Sequence, residues 1–185
     1  MKLAQICCVV WFGTFAACSD DAASTTKGSD AQTPPTSGSA DLEKWIQDGS
    51  YLTWTCEPAK HAPRSPSPHP SAGGFNRICS NDLIKAAATG TAVWPKGAAA
   101  VKELFTSATS TTPDGYAVYL KTDADSASGA NWYWYERVGT TMVADGKGAS
   151  GAPKDLCVAC HGAAGSDAPH TPSPGGRDQV YTPVH

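Results

Sequence analysis

The segments GYAVYLK (residues 115–121) and NWYWYERV (131–138) decide the fold of this 185-residue chain. Both are rich in aromatic and β-branched side chains, which suit the pleated surface of a sheet. A Pro-Asp-Gly turn leads into the first of them, and AAAVKELF (98–105) and a short segment at 75–79 are the strands expected before it. Because these strands follow one another in hairpin order, they predict an antiparallel sheet of four or five strands.

Short helices complete a predicted α+β domain, in which the sheet is the larger part. A helix near 40–48 would have one apolar face, made of Leu42, Trp45 and Ile46. Asn81 is expected to cap a second helix over 83–89. Residues 51–55 alternate as a strand, and the C-terminal tail is expected to be mostly loop with a strand at 179–182.

The N-terminus has the features of an export signal. Met1-Lys2 is followed by an apolar run that is too short to span a bilayer. The run ends with small residues before Cys18, as in bacterial lipoproteins, where the cysteine is acylated. Residues 1–17 are therefore predicted to be a lipoprotein signal peptide, with simple secretion as the alternative. The mature chain is expected to be exported and anchored by lipid in the bacterial envelope, on the periplasmic side or at the outer membrane.

The amino-acid composition of residues 19–38 differs from that of the rest of the mature chain. Residues 19–38 contain no large apolar side chain, so 18–38 are predicted to be a disordered tether and 39–185 a single domain. The chain has 14 Lys and Arg against 17 Asp and Glu. This mildly acidic balance argues against a nucleic-acid partner, which would require a basic surface.

The seven cysteines can all be assigned. Two belong to the signal peptide, lipid takes Cys18, and Cys157 and Cys160 belong to a C-terminal motif. The remaining pair, Cys56 and Cys79, is expected to form a disulfide in the oxidising compartment outside the cytoplasm. This bond would close the Pro-rich loop between them and contribute about 3 kcal/mol of stability.

The C-terminal motif is Cys157-Val158-Ala159-Cys160-His161. Two thioether bonds need two thiols three residues apart, and the imidazole that follows then lies under the iron, so C-x-x-C-H predicts covalent attachment of one haem c with His161 as axial ligand. A short helix entered from a Gly-rich loop at 145–153 is expected to carry the motif. The alternatives are a redox dithiol, a zinc half-site and a disulfide.

The second axial position of the iron is expected to be open. Small electron-transfer cytochromes carry a Met ligand far downstream of the motif, but no Met follows His161 here. The candidate ligands elsewhere are Met142, His61, His69, His170 and His185. The histidines lie in or beside loops and are interpreted as solvated side chains. An open site suits a small molecule, whereas ligation by Met142 or a histidine would indicate electron transfer.

These features together resemble the cytochrome P-460 family, from about Phe75 to Thr182. The motifs that carry the resemblance are, in order, Asn81-Asp82 at a helix start, Trp94-Pro95-x-Gly97 before a strand with Lys102, Trp132-x-Trp134, Cys157 to His161, and Val180-Tyr181-Thr182. The resemblance implies a mainly antiparallel sheet with short helices, usually in a homodimer, around a five-coordinate haem c. In its enzymatic members a lysine is cross-linked to the porphyrin edge, and hydroxylamine is oxidised to nitrogen oxides. The related cytochromes c′-beta lack the cross-link and bind nitric oxide.

Lys102 matches the cross-linking lysine of that family by its position after the Trp-Pro-x-Gly turn. In the predicted strand it shares a face with Ala100 and Leu104, among small apolar side chains that make a lysine unexpected. The alternative is that Lys102 lies on an edge strand and blunts aggregation. Glu103, on the opposite and equally apolar face, is then the anomaly.

Hydroxylamine oxidation releases protons, so a carboxylate is expected in the pocket. Glu136 is the nearest candidate, because it shares a strand face with Trp132 and Trp134. It is predicted to act with Lys102 in catalysis by a haem-dependent oxidoreductase, which would need a redox partner protein. The alternatives are Thr141 at the family's carboxylate position and an ion pair between Glu136 and an arginine. Arg77 resembles a pocket arginine but is shifted by one residue, which reverses the face in a strand.

Overall fold

The structure, a computed structural model, describes residues 33–63, 69, 74–90, 92–165, 176–181 and 184. The predicted signal peptide, Cys18 and most of the predicted tether lie outside the described residues. Within them, six strands form one sheet: β1 (Thr55–Cys56), β2 (Phe75–Ser80), β3 (Ala99–Phe105), β4 (Gly115–Lys121), β5 (Trp132–Val138) and β6 (Thr141–Lys147). The strands are neighbours in chain order, and each neighbouring pair is antiparallel. The predicted antiparallel sheet is therefore confirmed.

The helices are short, as predicted. They are α1 (Ser39–Gln47), α2 (Asp82–Ala86) and α3 (Ala159–His161), and a π-helix (Pro153–Val158) leads directly into α3. The expected apolar face of α1 is buried, and Asn81 caps α2 by accepting a hydrogen bond from the Ile84 backbone N–H at 3.1 Å. The α+β class with short helices is confirmed.

Three local predictions differ from the structure. Of the predicted strand at 51–55 only Thr55 is in a strand, the start of β1, because Ser50–Thr53 form a 3₁₀ turn. This turn buries Tyr51 and Trp54, three positions apart, instead of every second residue. The strand β6 was not predicted, since its Asp145 and Gly146 are typical of loops; it is an edge strand held by backbone pairing with β5. The predicted tail strand is reduced to one isolated bridge between Arg177 and Val180.

The sheet separates two apolar layers. One face packs against α1 and the 3₁₀ turn, in a core that includes Leu42, Trp45, Val101, Val118 and Tyr135. The other face packs against α2, the motif helix and the C-terminal residues through Ile84, Trp94, Trp132, Trp134 and Val180. Because side chains alternate along a strand, neighbouring residues of β3, β4 and β5 contribute to different layers.

Two glycines let the π-helix pack closely against the sheet face that carries Trp132 and Trp134. Val158, the first residue between the motif cysteines, packs against Gly129 and Gly148. A Cβ at Gly148 would collide with the Gly129 carbonyl oxygen as well as with Val158. The helix approaches the sheet this closely because neither position carries a side chain.

The β1–β2 hairpin carries the Cys56–Cys79 pair. The two residues face each other in the strand register, and their sulfurs are 2.02 Å apart. No helix within the described residues is long and apolar enough to cross a membrane.

Asn81 joins α2 to the sheet, so its loss should destabilise the fold. Its Oδ1 accepts from the backbone N–H groups of Ile84 and Ala99, and its Nδ2 donates to the Gly97 carbonyl at 2.7 Å. We expect Asn81→Ala to lower the free energy of unfolding by about 1–3 kcal/mol, measured by urea denaturation of the full chain. The control Asp82→Asn, at the neighbouring exposed position, should stay within about 0.5 kcal/mol of the parent chain.

Candidate functional site

A cavity of about 430 Å³ opens on the second face of the sheet, between β3–β6 and the motif helix. Most of its wall area is apolar, as in binding sites for small molecules and cofactors. The polar or ionisable residues that line it are His69, Lys102, Tyr119, Tyr135, Glu136, Asp155, Cys157, Cys160 and His161. The predicted site residues of β3, β5 and the C-x-x-C-H motif are therefore brought together in one cavity.

Lys102 and Glu136 lie in one row across the sheet. Lys102 pairs with Ala117 in the β3–β4 register, Ala117 pairs with Glu136, and Glu136 pairs with Ala144. Strands are about 4.8 Å apart, so the two charged residues flank Ala117 at a Cα separation of about 10 Å. The small side chain of Ala117, which lines the cavity, leaves the volume above this row open.

The arrangement of the sheet decides whether Lys102 is an edge-strand residue and whether Arg77 lies in the pocket. The strand β3 lies between β2 and β4, so Lys102 is not an edge-strand lysine. Glu103 points to the α1 face, where Arg77 donates two hydrogen bonds to it at 2.6 and 2.9 Å and the Tyr51 hydroxyl donates a third at 2.7 Å. Arg77 is thus a structural partner of Glu103 on the face opposite the cavity, as the one-residue shift in its strand indicates.

Glu136 is also free of the arginine pairing considered for it. Arg137 lies 3.4 Å from Glu43 on the α1 face, whereas Glu136 is 3.2 Å from the His69 ring. A β-bulge falls between Glu136 and Arg137, where the register with β6 skips Val143, and Val143 lines the cavity. Such bulges redirect side chains at the edges of sites. Thr141, by contrast, is exposed at the start of β6.

The two motif thiols lie on the helical side of the cavity. Cys157 lies three residues, or about one helical turn, before Cys160. Both side chains can therefore face the cavity. Burial, with a smaller contribution from the negative charge of Glu136, raises the pKa of the Cys157 thiol to about 12. Reactive dithiols have lowered pKa values, so this environment does not favour the redox-dithiol alternative.

His161 is held against the aromatic row of the sheet. Its ring centroid is 4.6 Å from that of Trp134 and 6.2 Å from that of Tyr119, and those two residues are register partners on β5 and β4. Its Nδ1 lies 2.7 Å from the Gln179 carbonyl oxygen, which can only accept, so Nδ1 carries the proton and Nε2 keeps its lone pair. Burial, reinforced by the neighbouring His69, lowers the pKa of His161 to about 4, which keeps the ring neutral at pH 7.

The carbonyl that orients His161 belongs to a strained turn. Arg177 and Val180 exchange two backbone hydrogen bonds of 2.9 Å, and the two residues between them, Asp178 and Gln179, have φ of +46° and +69°. Two successive positive φ angles are typical of type I′ turns, for which Asn and Gly are preferred. Residues without glycine's freedom cost about 1–3 kcal/mol each in this region, so the surroundings must hold the turn in place.

The side chain of Asp178 holds the turn in this conformation. Its carboxylate accepts from the Lys121 ammonium at 2.7 Å, from the Trp94 backbone N–H at 2.8 Å and from the Ser126 hydroxyl. The side chains of Lys121 and Asp178 are fully buried. The Trp94 ring adds a hydrogen bond of 3.0 Å to the Arg177 carbonyl. The sequence does not reveal this cluster, because Lys121 and Asp178 are 57 residues apart and neither belongs to a motif.

The other candidate ligands are distributed differently from the expectation. The sequence predicts a solvated loop position for His69, but the residue lines the cavity and contacts Glu136. His61 pairs with Glu57 beside β2, and Met142 is 41 % exposed on β6; neither lines the cavity. His170 and His185 lie outside the described residues.

No protein-family model matches the chain, and no curated protein matches it. Among the described residues, no three His, Cys, Asp or Glu side chains are grouped so as to hold a metal ion.

Breaking the Lys121–Asp178 pair should loosen the turn beneath His161. Lys121→Met leaves an uncompensated carboxylate in a buried site, so we expect the free energy of unfolding to fall by about 3–5 kcal/mol. The control is Lys44→Met, which breaks the exposed Lys44–Asp48 pair and should cost less than about 1 kcal/mol. Equal losses in urea denaturation of the two variants would contradict this account of the turn.

Proposed function

We propose that the chain is an exported mono-haem c protein, which resembles cytochrome P-460 and oxidises hydroxylamine or a related small nitrogen compound. The observation that carries the proposal is the arrangement of the C-x-x-C-H motif around the cavity. Both thiols and the imidazole line the same wall, and the imidazole Nδ1 is tied to a backbone carbonyl.

The residues present fit a haem. A metal-ligating histidine commonly donates its second ring N–H to a carbonyl or carboxylate, which fixes the tautomer and leaves the other nitrogen for the metal, and His161 has this arrangement. Among the described cysteines, Cys157 and Cys160 have no disulfide partner, and they supply the two thiols that covalent attachment needs. The cavity volume of about 430 Å³ lies within the range of about 300–1,000 Å³ found for ligand and cofactor sites.

Lys102 and Glu136 are the groups proposed to act on the substrate side. A haem held by Cys157, Cys160 and His161 would supply a redox-active iron as the site for the substrate nitrogen, and the electrons would leave to a separate acceptor protein. Glu136, buried in an apolar wall, accepts a proton that the substrate loses. Lys102, in the same row of the sheet, is proposed as the residue that joins the macrocycle edge.

A second candidate function is non-enzymatic capture of nitric oxide or another diatomic molecule, as in cytochromes c′-beta. The apolar lining favours it: Ala117, Trp134, Val143, Leu156 and Ala159 all contribute to the walls. Such a lining excludes water and suits a small uncharged ligand. A homodimer, export, and a membrane link through acylated Cys18 belong to both versions of the proposal.

Haem attachment can be tested directly. We expect the full chain, produced with a c-type haem maturation system, to keep haem on a denaturing gel, and the double variant Cys157→Ser/Cys160→Ser to lose it. Cys56→Ser/Cys79→Ser is the control, because it removes two cysteines and leaves the motif thiols. Mass spectrometry of a digest would locate the thioethers and any product joined to Lys102. A parent chain without covalent haem would refute the proposal.

The reaction can be tested on the haem-loaded protein with hydroxylamine and an artificial electron acceptor. We expect Glu136→Gln to lower kcat by about 100-fold or more, since a positioned proton acceptor typically contributes a factor of 10²–10⁴. Glu43→Gln, which removes a carboxylate on the α1 face, should keep the parent rate. If the loaded parent chain shows no turnover but binds nitric oxide, the second candidate function replaces the first.

A further inference from the structure

The cavity contains a second imidazole for which the proposed function gives no role. His69 lines the cavity, and its Nδ1 is 3.2 Å from Oε1 of Glu136. Its side chain is 22 % exposed and that of Glu136 is 8 % exposed, so the contact is largely shielded from water. The His69 ring centroid is 6.2 Å from that of His161.

We propose that His69 is a displaceable second axial ligand of the iron, on the face opposite His161. This inference rests on the proposed haem c. It replaces the open axial position expected from the sequence with one that a small molecule must compete for.

The separation of the two rings fits one metal ion between them. A metal–imidazole bond is about 2.0–2.1 Å long. The centre of a five-membered ring with bonds of about 1.33 Å is about 1.1 Å from each ring nitrogen. Two imidazoles that share one metal ion therefore have centroids about 6.3 Å apart, and the two histidines are 6.2 Å apart. No substrate fits between an iron bound to His161 and a ring at this distance, so the ring must move when a ligand binds.

The two imidazole rings also have the same hydrogen-bonding arrangement, in which Nδ1 faces an oxygen acceptor. The Nδ1 of His161 faces the Gln179 carbonyl, and the Nδ1 of His69 faces the Glu136 carboxylate. A carbonyl or an ionised carboxylate accepts a hydrogen bond from Nδ1–H, which leaves Nε2 of each ring with a lone pair. A carboxylate–histidine pair of this kind raises the basicity of the ligating nitrogen and fixes its direction.

The two rings differ in how firmly they are held. His161 is anchored by the strained turn and by the rings of Trp134 and Tyr181 at 4.6 and 5.5 Å. Among the described residues, His69 contacts the Glu136 carboxylate, and its ring lies beside that of His161. We therefore assign the permanent position to His161 and the displaceable one to His69. When a ligand displaces His69, the Glu136 carboxylate stays on the same side of the cavity to accept a proton.

Optical and electron paramagnetic resonance spectra of the haem-loaded full chain test this assignment. We expect the ferric parent protein to be low-spin and six-coordinate, and His69→Ala to be high-spin. Added imidazole should return His69→Ala to the low-spin form, which a merely structural role of His69 would not produce. His61→Ala is the matched control, because His61 also contacts a glutamate but does not line the cavity, and it should keep the parent spectrum.

The glutamate can be tested separately. Removing the carboxylate partner of a metal-ligating histidine typically weakens metal binding by about 10–100-fold. We expect Glu136→Gln to bind added cyanide about 10–100-fold more tightly than the parent chain, because His69 then competes less well. A high-spin parent protein, or a low-spin spectrum unchanged in His69→Ala, would overturn the assignment while leaving covalent haem intact. A parent chain without covalent haem would overturn the proposed function as well.

Discussion

The hydrogen bond between the His161 ring and the Gln179 carbonyl connects the motif helix to the C-terminal turn, and the arrangement of the cavity depends on it. The carbonyl points at the ring only because Asp178 and Gln179 adopt left-handed backbone angles. That conformation is unfavourable on its own, and the buried ion pair of Asp178 with Lys121 holds it. Three hydrogen-bond donors stabilise the Asp178 carboxylate in this low-dielectric interior, where an unpaired buried charge is strongly destabilising.

The sheet separates the residues that line the cavity from the buried polar network on the α1 face. Side chains alternate along β3, so Lys102 reaches the cavity while Glu103, the next residue, is buried on the α1 face with Arg77 and Tyr51. Two ionisable residues adjacent in sequence thus have different roles. Glu103 belongs to a buried network that joins the 3₁₀ turn to the sheet, and Lys102 faces the volume where a ligand would bind.

The cavity combines apolar walls with a few polar groups at defined places. Trp134 and Tyr119 support His161, and one row further along the strands Glu136 and Lys102 flank Ala117. The spacing between these rows, about 7 Å for two residues along a strand, separates the side that holds His161 from the side on which Glu136 meets His69. The two sides of the cavity therefore arise from the two-residue alternation of side chains along β3, β4 and β5.

The sequence alone determined the strands β2 to β5, the Asn81 cap of α2 and the C-x-x-C-H motif, because each of these depends on residues close together in the chain. Alternation along NWYWYERV correctly assigned Glu136 to the face of Trp132 and Trp134. The edge strand β6, the 3₁₀ turn that replaced a predicted strand and the pairing of Lys121 with Asp178 were decided only by tertiary contacts. His69 is the clearest case: its neighbours in sequence are those of a loop, and only the packing of distant residues around the cavity brings it to Glu136 and within 6.2 Å of His161.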